Sequence, residues 1–293
     1  MIKNIVVFCV VLMLVNQLTA QSFFYLFDYN TQNYPIVSAR YIVVDKDGIP
    51  DYSLNKSAFF ITLNEKIISN INDPICQNPA LEDKISYVIT FDLALNKSNS
   101  GDDNFLIGKQ LANNLIKQMD TSKSEIALTS YNYLNYFNRE FTNNRSELFQ
   151  EINIWSKADG SLLNAGFLNE PANPIKIASK AKFKKVVIFI TDGSGAIDEN
   201  RIIAEANAAN TSIIIIEIGR KISSKLKKIA EDTGGFWIDN VNSKQNTIDI
   251  ANLALSFAKG YKPCTLSWTQ DFTCEDEHNI SIKITSKSVG ADF

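Results

Sequence analysis

The sequence has a single histidine, His278, among its 293 residues. It stands beside Glu275, Asp276 and Glu277 near the C-terminus, in what reads as a solvated acidic turn. A Ser-His-Asp triad or a two-histidine zinc site would have to borrow that one side chain, which removes much of histidine-based enzymology. Basic charge is also short: 29 Lys and Arg stand against 32 Asp and Glu, for a net charge of -3. Such a chain has no general attraction to a phosphate backbone, so nucleic acid is not an expected partner. No Gly-x-Gly-x-x-Gly follows the strand that ends at Asp92, which argues against a dinucleotide site. Gly193-Ser194-Gly195 lacks the centred serine of a Gly-x-Ser-x-Gly nucleophile elbow. Beyond the N-terminus no apolar run is long enough to span a bilayer: Val186 to Ile190 and Ile213 to Ile216 have the length of buried strands.

What is present is globular in composition, with 45% hydrophobic and 21% charged residues. Residues 1–20 read as a signal peptide. Lys3 supplies the positive n-region, Ile5 to Val15 is unbroken apolar sequence, and Leu18-Thr19-Ala20 offers a small residue before a cut that leaves Gln21 first. The alternative is an uncleaved anchor, for which the run is about half the roughly 20 residues a spanning helix needs. Export makes disulfides possible. Cys264 and Cys274 flank Leu266, Trp268 and Phe272, and their spacing suggests a bridge closing a short hairpin. Cys76 is then left over, either buried and inert or paired outside this chain.

The chain divides by pattern. Residues 21–80 carry β signals: Ile36, Val37 and Tyr41 to Val44, a turn at Lys46-Asp47-Gly48, then Phe59, Phe60, Ile61 and Leu63. They read as a small β-rich, immunoglobulin-like module. From 81 to 261, apolar strands without alternation alternate with amphipathic helices, which implies an α/β fold: a doubly wound, mainly parallel sheet covered on both faces. Strands end at Asp92 and just before Asp192, and in open sheets of this kind the functional crevice lies beyond the strands' C-terminal ends. An aromatic stretch from Tyr131 to Phe141 reads as a hairpin, half of it turned inward by strand alternation. From 262 to 293 the pattern returns to β and is expected to be the start of a further β module, incomplete as it stands.

The motifs of the central region arrive in a recognisable order: Val88-Ile89-Thr90-Phe91-Asp92, then a helix, then Asp159-Gly160-Ser161-Leu162-Leu163, then Val186 to Ile190 followed by Thr191-Asp192-Gly193. In this the region from Ile85 to about Ala258 resembles the von Willebrand factor A domain, in the form found in secreted bacterial surface proteins. The resemblance implies a metal-ion-dependent adhesion site, commonly holding magnesium, built from Asp-x-Ser-x-Ser, a threonine and the aspartate of Thr-Asp-Gly. A small hard cation wants oxygen ligands in octahedral array, and an open position could take a partner's carboxylate. Carried over, the ligand set is Asp92, Asn96, Ser161 and Asp192. The first loop departs from the family: it reads Asp92-Leu93-Ala94-Leu95-Asn96, and Ala94 has no oxygen where the family has serine. Magnesium is therefore expected to bind weakly or not at all. In the competing picture the loops only close the sheet, with Asp92 and Asp192 bonding loop amides.

The resemblance implies a secreted or cell-surface, non-enzymatic binding or adhesion module that recognises a protein or extracellular surface ligand. A ligand-free spacer in a larger surface protein is the first alternative. An α/β hydrolase is the second, weakened by the single histidine.

Overall fold

A computed structural model of the chain describes residues 23–45, 47–77, 79–95, 103–243, 246–270, 280–284 and 289–292. The expected signal peptide at 1–20, Asn96, Cys274 and His278 lie outside the described residues. In chain order, β1 (Phe23–Asn30), β2 (Ile36–Val44), β3 (Phe59–Leu63) and β4 (Lys66–Ile68) come first. Next are β5 (Ile85–Asp92), α1 (Asn104–Gln118), β6 (Ser124–Tyr131), β7 (Asn135–Thr142), α2 (Arg145–Ile154), α3 (Leu163–Leu168), α4 (Pro174–Ser179) and β8 (Lys184–Thr191). Then follow α5 (Glu199–Ala208), β9 (Thr211–Ile218), α6 (Ser224–Asp232), β10 (Trp237–Val241) and α7 (Thr247–Lys259). The last described strands are β11 (Cys264–Thr269), β12 (Ile280–Ile284) and β13 (Val289–Asp292). The chain forms two units, Cys76–Pro263 and a second made of Met1–Ile75 with Cys264–Phe293.

The larger unit is a six-stranded sheet in the order β10-β9-β8-β5-β6-β7. All neighbours are parallel except β6 and β7. Every residue of β5 is buried, as a strand covered on both faces requires. The two faces are visible in the rings. Phe91 stacks on Trp155 and meets Phe105 of α1 edge-on. On the opposite face, Phe189 stacks on Phe167 of α3 and on Tyr131. The α3 backbone comes close there: a Cβ on Gly166 would lie 2.7 Å from Tyr131 and 2.9 Å from Phe189. β6 lies on one side of β5 and β8 on the other, so the winding reverses between β5 and β8. In open sheets of this kind such a reversal is where a crevice at the strands' C-terminal ends is expected.

The smaller unit holds two antiparallel sheets, β1-β2-β11 and β13-β12-β3-β4. Their inward residues alternate: Leu266 and Trp268 of β11, Ile280, Ile282 and Ile284 of β12, and Phe59, Ile61 and Leu63 of β3 are buried. Tyr41 of β2 meets Phe59 of β3 edge-on at 5.0 Å, joining the sheets. The segments at 21–80 and 262–293, taken from sequence as separate modules, thus share their sheets. Neither has strands enough for a stable sheet alone, and pairing across so long a separation leaves no local mark in the sequence.

The expected Cys264–Cys274 bridge is corrected. Cys264 is disulfide-bonded to Cys76. Ile75 and Thr265 exchange both backbone hydrogen bonds, each 2.9 Å, so the next rung sets Cys76 opposite Cys264. In an antiparallel pair that rung is the closer, non-hydrogen-bonded kind, within disulfide reach.

Candidate functional site

Asp92 is the last residue of β5, and Asp192 follows directly on β8. Both are buried, although each sits at the solvent-facing end of its strand. The reason is local: each turns its carboxylate back onto the loop that follows. Asp92 Oδ1 accepts the Ala94 N–H at 2.9 Å, and Asp192 Oδ1 accepts the Ser194 N–H at 3.0 Å. These are short Asx-type closures of the strand-to-loop turns.

The second oxygen of Asp92 is crowded. Ser161 Oγ donates to Oδ2 at 2.9 Å, Tyr131 Oη at 3.0 Å and Thr191 Oγ1 at 3.2 Å. Tyr131 Oη also lies 3.0 Å from Thr191 Oγ1. Ser161 reaches this point because Leu162 N–H bonds Asn132 O and Ala158 N–H bonds Leu93 O, tying its loop to the ends of β6 and β5. Burial pushes the Asp92 carboxyl up to about 6, against the Ala94 and Ser161 hydrogen bonds, which lower it; the neighbouring Asp192 charge adds to the rise.

A third acid belongs to the crevice. Glu217, next to last in β9, lies opposite Thr191 in the β8–β9 register and is buried. Burial raises its carboxyl to about 8 while Arg220 opposes the rise. It accepts a hydrogen bond from the Ser223 backbone, and its Oε2 has no hydrogen-bond partner. Gly193 makes room for it: a Cβ there would lie 2.5 Å from Glu217 Oε1, and Gly193 has φ +72. The Arg220 guanidinium stands 4.0 Å from Asp192 Oδ2, with half of its own side chain open to solvent.

Of the residues expected from sequence, Asp92, Ser161 and Asp192 come together at one end of the sheet. Asn96 lies outside the described residues. Tyr131, Thr191, Glu217 and Arg220 were not expected. Glu217 had a signal: a carboxylate near the end of the apolar run Ile213 to Ile218. Tyr131 had none that separated it from its neighbours. The aromatic stretch also departs from expectation. Of Tyr131, Tyr133, Tyr136, Phe137 and Phe141, only Tyr131 is fully buried, because β7 is an edge strand with two register irregularities against β6.

The described part of the implied ligand set fits a divalent cation poorly. Asp92 has protein donors on both oxygens, Ala94 brings a methyl group where an oxygen is needed, and Arg220 already places positive charge beside Asp192. Among the described residues no three His, Cys, Asp or Glu side chains come together as a metal set.

Fold and site together define a class: doubly wound α/β domains with an acidic crevice at the strand ends, between a first-strand aspartate and a Thr-Asp-Gly turn. The profile of the von Willebrand factor type A domain matches residues 93–252, and the chain belongs to that family. Among solved structures the chain is similar to BatB from Bacteroides thetaiotaomicron, at 14% identity and TM-score 0.47, covering 60% of this chain and 100% of that one. It is also similar to proximal thread matrix protein 1 from the mussel byssus, at 13% identity and TM-score 0.50, covering 64% and 50%. A von Willebrand factor type A protein from Catenulispora acidiphila aligns over 91% of this chain and 71% of its own, at 10% identity and TM-score 0.48. No curated protein sequence matches the chain.

Proposed function

We propose that this chain is an exported, non-enzymatic binding module, of the kind found on bacterial surfaces, which takes a protein or surface ligand at the crevice end of its larger unit. The observation that carries this reading is the surface around the crevice. Tyr133 and Leu134, at the tip between β6 and β7, are 58% and 64% exposed, and Leu162, beside Ser161, is 41% exposed. The two loops carrying them are tied together at Asn132, whose Oδ1 accepts Leu134 N–H and whose backbone O accepts Leu162 N–H. A rigid aromatic and aliphatic rim around a polar floor is the anatomy of an interface centre. Export is supported by the N-terminal sequence and by the Cys76–Cys264 disulfide, which an oxidising compartment preserves. No helix among the described residues is long and apolar enough to cross a membrane.

The test uses the whole mature chain coated on beads and a panel of immobilised matrix proteins, cell-surface proteins and glycans. Leu134→Asp with Leu162→Asp should lower retention on the responding surface at least ~10-fold, as loss of interface hot spots does. Ile67→Asp, on the smaller unit, should leave it unchanged. Equal retention by both variants, or no responding surface, defeats the reading and leaves the spacer role.

A further inference from the structure

The crevice holds three buried acids, and burying a charge is costly unless it is paired. Asp92 is served by the Ala94 N–H and by the hydroxyls of Ser161, Tyr131 and Thr191. Glu217 takes the Ser223 N–H. Asp192 takes the Ser194 N–H and faces the Arg220 guanidinium at 4.0 Å. Each acid therefore has a compensating group supplied by the chain.

We propose that Arg220 is the built-in cation of this crevice, balancing Asp192 and bordering Glu217, so that the site works without a divalent ion. The backbone that carries Arg220 is pinned on both sides. Gly219 N–H bonds Val241 O at 2.9 Å, Asn240 N–H bonds Arg220 O at 2.8 Å, and Ile222 N–H bonds Asp239 Oδ2 at 3.0 Å. Gly219 has φ +80, a left-handed conformation that turns the chain sharply out of β9. The arginine is thus aimed back over the ends of β8 and β9. A guanidinium is charged at any physiological pH, whereas magnesium needs near-octahedral oxygen ligands and gives up its waters reluctantly. With the guanidinium removed, Asp192 and Glu217 would lose the positive charge that now stands beside them. A divalent ion would then be attracted to the place the arginine serves.

The inference deepens the crevice reading, but its test needs no partner, so the two can fail separately. The mature chain, Arg220→Ala and Arg220→Lys are titrated with manganese and with magnesium by calorimetry, and melted with and without each metal. The unaltered chain and Arg220→Lys should show weak or no binding and no metal-dependent rise in Tm. Arg220→Ala should bind manganese at least ~10-fold more tightly than the unaltered chain, since a repelling unit charge next to a divalent ion is gone. Its Tm should rise on adding the metal. Arg220→Gln, which keeps the side-chain stem, carries the same comparison if the alanine variant does not fold. Tight manganese binding by the unaltered chain overturns the proposal. So does an affinity that the alanine or glutamine change leaves as it was.

Discussion

Glu217 shows how one residue can couple the crevice to pH. Its carboxyl is raised from 4.5 to about 8, chiefly by burial, with Asp239 and Asp192 adding to the rise and Arg220 and the Ser223 N–H opposing it. Asp92 is raised from 3.8 to about 6, again chiefly by burial. A folded-state value above the unfolded one means that the native state holds a proton which the unfolded chain releases. The associated stability is complete below the unfolded value and is lost as pH climbs to the folded one. Stability to urea should therefore fall from about pH 4 to about pH 8, by no more than ~1.4 kcal/mol per pH unit for each group. Glu217→Gln should flatten the upper part of that decline, between the two folded values. A decline of unchanged steepness in this variant would place its source in another group.

At the scale of elements, several helices of the larger unit are held at their starts by side-chain caps. The helix α4 has only six residues, too short to persist on its own propensity. Asn173 starts it. Its Oδ1 accepts Ile175 N–H at 3.0 Å and Lys176 N–H at 3.1 Å, and its Nδ2 donates to Leu168 O at 3.2 Å. Asn173 is also buried, so water cannot replace these bonds. Asn173→Ala should cost about 2 kcal/mol or somewhat more, the cap and an unsatisfied buried group together. Asn173→Asp keeps the acceptor and should cost less, offset by a charge near Glu205, which lies 3.4 Å from Nδ2. Urea unfolding at one pH distinguishes the two, and an alanine variant as stable as the unaltered chain would show that the cap is dispensable. Asp103, Asn144, Asp198 and Ser223 cap α1, α2, α5 and α6 in the same way. All are polar residues standing just before an apolar-periodic run, where sequence alone points to a helix start.

At the scale of the whole molecule, the disulfide is the feature most open to direct measurement. Non-reducing peptide mapping of the oxidised, mature chain should recover Cys76 linked to Cys264, with Cys274 outside that linkage. Cys76→Ser should cost about 2–5 kcal/mol, the usual effect of losing a disulfide that closes a long loop. Recovery of Cys264 linked to Cys274 would restore the hairpin bridge that spacing suggests. The smaller unit is assembled from both ends of the described chain, so its stability should respond to substitutions in β3 and β12 alike.

The sequence by itself determined the larger unit. Continuous apolar strands such as Val186 to Ile190 and Ile213 to Ile216, helices with one apolar face, and an aspartate at the end of a strand are local patterns with local causes. They specify a parallel sheet and place Asp92 and Asp192 at the C-terminal ends of its strands. Only the tertiary structure decided the rest. The pairing of β2 with β11 and of β3 with β12, and the disulfide beside them, depends on strands far apart in the chain, whose register no short window records. Which of five aromatics is buried depends on β7 being an edge. The surroundings of Asp92 depend on Tyr131, Ser161 and Thr191 arriving from three different segments. The role of Arg220 depends on a turn after β9 that swings it back over Asp192. Each of these is a meeting of residues far apart in the chain, and the burial, backbone pairing and charge pairing that fix it exist only once the sheets have formed.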